Sequence, residues 1–171
     1  MSDSKPSHVV FSHGLDGEPW GTKIVALARV AETRGFVVES IDYRGMEAPA
    51  RVEKLISVAK GLPHPLILVG SSLGGHVAAT ASTHVPTHAM FLMAPAFFMQ
   101  GYEQYTPVPA ACPIEIVHGW RDDVVPVQNS IRFAQQYGST LHLMDSDHRL
   151  TANVPELCQY FDLFLQRAMG K

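Results

Sequence analysis

Three residues far apart in the chain have the side chains needed to break an acyl bond together: Ser72, Asp122 and His148. A serine alcohol is a poor nucleophile until a base within hydrogen-bond reach takes its proton. Histidine suits that role because its unperturbed pKa is about 6.5. A buried carboxylate then holds the imidazole in the right tautomer and stabilises the imidazolium that forms. Ser72 sits in the middle of Gly70-Ser71-Ser72-Leu73-Gly74, behind the apolar run Leu66-Ile67-Leu68-Val69 and ahead of Gly75-His76-Val77-Ala78-Ala79-Thr80-Ala81. This order predicts a buried strand running through a tight turn straight into a helix. Glycines two positions either side of the serine suit strained backbone and a close neighbouring chain. Glycine-serine clusters also occur in ordinary surface turns, so the rest of the chain must decide between the two.

The elements that would position these residues follow from hydrophobic periodicity. Val9-Val10-Phe11 is a short apolar strand closed by Ser12-His13-Gly14, and Leu15-Asp16-Gly17-Glu18-Pro19-Trp20-Gly21 reads as a loop. Ile24, Leu27, Ala28 and Ala31 keep the spacing of one helical face, ended by Gly35. A second strand over 36–41 leads to a helix with Val52, Leu55, Ile56 and Ala59 on one stripe, closed by Pro63 and Pro65. The third strand covers 66–69, and its helix runs to about His84. Further strands are predicted over 89–93, 114–117 and 140–144. Helices carrying Val127, Ile131 and Ala134, then Val154, Leu157, Phe161, Phe164 and Ala168, follow the last two. Such alternation predicts an α/β three-layer sandwich, a mostly or wholly parallel sheet of about six strands with helices on both faces. In open parallel sheets, ligands bind beyond the carboxyl ends of the strands. His13-Gly14, Ser72, Asp122 and His148 all fall there.

At 171 residues the chain is expected to form one domain, 1–171, able to bury roughly 70% of its unfolded surface. Its 13 Lys and Arg against 16 Asp and Glu leave a net charge of −3 without a basic cluster, which argues against nucleic acid as a partner. No apolar stretch approaches the ~20 residues needed to span a bilayer. The start, Met1-Ser2-Asp3-Ser4-Lys5-Pro6-Ser7, is polar and unlike a secretory signal. Cys112 and Cys158 cannot form a disulfide framework, and a cytoplasmic location is expected. No histidine pair has metal-ligand spacing, so neither a metal nor an organic cofactor is expected. His118 is assigned to a strand-end turn, and His8, His64, His84, His88 and His142 show no partner pattern.

The order Ser…Asp…His resembles that of the α/β-hydrolase family. His118-Gly119-Trp120-Arg121-Asp122-Asp123-Val124-Val125-Pro126 is similar to the family's HGxxDxxVP segment, and Asp145-Ser146-Asp147-His148-Arg149 to its late DH loop. Gly70-Ser71-Ser72-Leu73-Gly74-Gly75 resembles the elbow of small YqiA-type esterases, and the compact layout is similar to that of RBBP-type serine hydrolases. The resemblance spans nearly the whole chain. It implies Ser72 as nucleophile, His148 as base and Asp122 as the orienting acid, with Asp123 the competing carboxylate. It also implies an oxyanion site made of the Leu73 and Leu15 backbone amides.

Where many family members insert a cap, this chain has only residues 96–113, so an open, lidless site is expected. The two leading strands of larger members are also expected to be missing. Phe97, Phe98 and Trp20 could wall an acyl group; packing at the sheet edge is the competing explanation. The resulting expectation is hydrolysis of carboxylic esters with short acyl chains, through an acyl-enzyme. Thioester hydrolysis on the same residues is an alternative, and a non-catalytic binding protein of this fold is a second. The expected partner is a small ester or thioester, not a membrane.

Overall fold

A computed structural model describes residues 5–170. Residues 1–4 of the polar start, and any expectation resting on them, lie outside the described residues. Six strands form one sheet: β1 (His8–Ser12), β2 (Val37–Ile41), β3 (Leu66–Ser71), β4 (Thr87–Met93), β5 (Ile114–Gly119) and β6 (Thr140–Met144). Their order is β2-β1-β3-β4-β5-β6, and every neighbouring pair is parallel. Five helices connect or follow them: α1 (Thr22–Thr33), α2 (Ala48–Lys60), α3 (Leu73–Ala81), α4 (Val127–Tyr137) and α5 (Val154–Ala168).

Successive strand residues point to opposite faces, and each face has its own core. Val9, Phe11, Ile67, Val69, Phe91, Met93 and Val117 pack with Ile24, Leu27 and Ala31 of α1 and Leu157, Phe161 and Phe164 of α5. Val10, Leu66, Leu68, Met90, Leu92 and Ile116 pack with Leu55 and Ala59 of α2, Val77 and Ala78 of α3, and Phe133 of α4. Both faces of β3 are covered, which is why Leu66-Ile67-Leu68-Val69 is uniformly apolar rather than alternating.

The central strands run longer than their apolar cores indicate. β3 continues through Gly70 and Ser71 because these pair with Leu92 and Met93 of β4. β5 continues through His118 and Gly119 because these pair with Leu143 and Met144 of β6. A partner strand, not local hydrophobicity, supplies those last ladder bonds. α3 stops at Ala81, short of the expected His84, and the Ser82 hydroxyl donates to the Ala79 carbonyl and accepts the Ala110 N–H. Residues 96–113 hold only one short 3₁₀ turn, Glu103–Tyr105, and no cap domain.

Candidate active site

Ser72 stands between β3 and α3 with φ 54° and ψ −117°, a conformation that costs a non-glycine residue about 1–3 kcal/mol. Its surroundings hold it there. The Ser72 N–H donates to the Met93 carbonyl at 2.9 Å, and its own carbonyl accepts from Gly75, His76 and Ala96 at 3.0, 3.3 and 3.0 Å. The flanking glycines are required by contact: a Cβ on Gly70 would collide with the Gly74 carbonyl, and one on Gly74 with the Ser12 carbonyl.

The Ser72 hydroxyl lies 3.0 Å from Nε2 of His148, and Nδ1 of His148 lies 2.7 Å from Oδ2 of Asp122. With Nδ1–H donating to the carboxylate, Nε2 is free to accept the serine proton. The Asp122 carboxylate is fully buried, whereas the His148 side chain is 17% exposed. Oδ1 of Asp122 accepts the Val124 and Val125 N–H groups at 2.8 and 2.7 Å. Burial pushes the Asp122 carboxyl upward, but the hydrogen bonds from His148, Val125 and Val124 outweigh it and hold the group below its ordinary range. Among the described residues, neither the Leu73 nor the Leu15 N–H has a protein acceptor. Leu73 opens α3, so its amide is one of the helix's orphan donors. Gly14, next to Leu15, is in contact range of Ser72: a Cβ built on it would lie 3.4 Å from the serine Cβ. A hydroxyl, a base, a buried acid and two unused amides are the parts acyl transfer requires.

The three aromatic residues have separate neighbours. Phe97 is fully buried and stacked on Phe133 with ring centroids 4.0 Å apart, so the expectation of an acyl wall there is corrected: its ring is core. Phe98 is half-buried under the Arg132 guanidinium, 3.8 Å from its ring centroid. Trp20 borders a surface concavity with Glu18, Thr22, Val25 and Arg29.

Three residues at the site escaped the sequence reading. His118, assigned only to a turn, is fully buried, with Nε2 3.0 Å from Oδ2 of Asp122 and Nδ1 2.6 Å from the Ser130 hydroxyl. Burial lowers its pKa, favouring the neutral ring. Its place four residues before Asp122 was the available signal. Lys23 donates to the Ser71 hydroxyl at 3.0 Å, and burial lowers its ammonium to about 8. Arg51, only 1% exposed, reaches the loop after β1. Nothing local marks the last two, because their partners are 48 and 38 positions distant. Among the described residues no three His, Cys, Asp or Glu side chains gather as a metal-binding group would.

A sequence profile of the alpha/beta hydrolase family matches residues 9–169. The chain is 35% identical to a solved alpha/beta-superfamily hydrolase from Xanthomonas campestris pv. campestris, covering 94% of this chain and 99% of that one with a TM-score of 0.84. A second Xanthomonas campestris structure, described as a serine hydrolase without lid, superposes with a TM-score of 0.84 at 18% identity, over 100% of this chain and 87% of that one. Among curated proteins, the mitochondrial palmitoyl-protein thioesterase ABHD10 of Bos taurus is 23% identical, over 85% of this chain and 68% of its own length.

Proposed function

The chain belongs to the alpha/beta hydrolase family, and from that premise we propose that it is a serine hydrolase of carboxylic esters with short acyl chains. The observation that carries this reading is the continuous chain from the Ser72 hydroxyl through His148 to the buried Asp122. His148 takes the proton of Ser72 as the serine oxygen attacks the ester carbonyl. The Leu15 and Leu73 amides hold the oxyanion, the alcohol leaves with the proton from His148, and an acyl-enzyme remains. Water, deprotonated by the same histidine, then releases the acid and frees Ser72. Asp122 keeps Nδ1 protonated throughout. The exposed side chains of Leu15 and Val124, on the loops carrying the oxyanion amide and the acid, offer apolar surface to the acyl group.

A thioester substrate is the second reading, favoured by the likeness to a protein named palmitoyl-protein thioesterase. The oxyanion chemistry is shared, so the leaving atom separates the two. The whole reading is tested by turnover of p-nitrophenyl acetate, with Ser72→Ala and His148→Ala as controls. Loss in both variants is expected, and full activity in either overturns the assignment. Competition between acyl-CoA and oxygen esters of matched chain length decides the class. We also propose a cytoplasmic location for the chain, in which no helix among the described residues is long and apolar enough to cross a membrane.

A further inference from the structure

We propose that Arg51 is a positioning residue that fixes the Leu15 amide toward Ser72 by holding the carbonyls of the loop after β1 from behind. This rests on the serine-hydrolase reading above. The Arg51 guanidinium donates Nη1 to the His13 and Gly14 carbonyls at 3.1 and 3.3 Å and Nη2 to the Leu15 carbonyl at 3.5 Å. Nε donates to the Met46 carbonyl at 2.9 Å, and the group lies 5.4 Å from the centroid of the Tyr43 ring. Every one of these acceptors is a backbone carbonyl or a ring face; Arg51 is in no ion pair among the described residues. Burying a guanidinium with no carboxylate in ion-pair contact is unfavourable, and Glu47 acts on this one only from farther away. What the guanidinium adds is a rigid fork that orients three successive peptide groups.

The direction of the Leu15 amide follows from peptide geometry. In a planar trans peptide the carbonyl of Gly14 and the N–H of Leu15 point oppositely. The Gly14 carbonyl is held by three donors: Nδ1–H of His13 at 2.7 Å, the Gly17 N–H at 3.2 Å and Nη1 of Arg51. The His13 tautomer is itself set, because its Nε2 accepts the Tyr43 N–H at 2.8 Å. With its carbonyl anchored on the Arg51 side, the peptide presents the Leu15 N–H on the opposite side. Donors on a carbonyl also polarise the N–H of the same peptide, strengthening it toward a developing negative charge.

The test uses Arg51→Met and Arg51→Lys, the lysine keeping the stem and charge but lacking the fork. We expect kcat for p-nitrophenyl acetate to fall about ten- to hundred-fold while KM changes less than about twofold. The pH midpoint of kcat/KM should not move, since His148 and Asp122 are untouched, and fluorophosphonate labelling should slow in parallel. Either variant, folded by circular dichroism and as active as wild type, overturns the proposal. Should neither fold, the phosphonylated wild-type protein decides: a phosphonyl oxygen within hydrogen-bond distance of the Leu15 N–H supports it, and one turned away refutes it. A wild type that neither turns over nor labels sinks the serine-hydrolase reading and this one with it. An active wild type with unaltered variants sinks this one alone.

Discussion

Two histidine–carboxylate pairs of nearly the same length can be compared along β5 and β6, one in the loops that follow these strands and one between the strands themselves. Beyond the carboxyl ends, His148 meets Asp122 at 2.7 Å; nearer the amino end, His142 meets Glu115 at 2.5 Å. The surroundings differ. Glu115 is also held by Arg167 at 2.6 Å, and the His142 ring is stacked on Tyr160 with centroids 4.1 Å apart. Asp122 faces amides and histidines instead of a permanent cation, and the far nitrogen of His148 meets a serine hydroxyl. A histidine–carboxylate pair thus acquires chemistry from what stands at the second ring nitrogen. Glu115 has its charge balanced by arginine and closes the sheet against α5.

The largest effect should separate the two pairs outright. His148→Ala and Ser72→Ala are each expected to lower ester turnover by about 10⁴-fold or more. His142→Ala should leave kcat within about twofold of wild type and lower only the melting temperature. Steady-state kinetics beside thermal melts checks this, and a large kcat loss in His142→Ala would erase the distinction. The acids come next. Asp122→Asn is expected to cost about 10³- to 10⁴-fold in kcat by favouring the wrong tautomer, whereas Glu115→Gln should act on stability alone, by about 1–3 kcal/mol in urea titrations.

A pH series sharpens the contrast further. His13 and His118 have pKa values below 6.5, chiefly through burial. On acidification the unfolded chain therefore takes up protons first, so their contribution is complete above about pH 6.5 and is lost as pH falls below it. Asp122 also lies below its reference of 3.8, so its contribution persists until pH falls through the ordinary carboxylate range. Melting temperature should drop in two stages on acidification. His118→Asn should flatten the first, and Asp122→Asn the second. The smallest expected change is Arg167→Met: the side chain is 58% exposed, so about 1 kcal/mol of stability and no activity should go with it.

The bounds of β6 and the apolar face of α5 are legible in the sequence, because apolar residues at period two and at helical spacing report burial directly. The extensions of β3 and β5 were missed, since pairing with a neighbouring strand is written in the neighbour. The tight turn at Ser72 is legible because its glycines are a local steric necessity. Phe97 was misplaced because an aromatic near a strand end looks the same whether it faces solvent or Phe133. His142 showed no partner because Glu115 lies 27 positions away.

The sequence by itself determined the alternation of strands and helices, the strained turn around Ser72 and the order in which serine, aspartate and histidine occur. These depend on backbone sterics and hydrophobic period, which act over a few residues. Only the tertiary structure decided that Asp122, not Asp123, meets His148 across 26 positions, and that His148 meets Ser72 across 76. The same holds for Arg51 reaching the carbonyls beside Leu15. Hydrogen bonds at such separations exist only once the parallel register has brought the strand ends together, and that register is a property of all six strands at once.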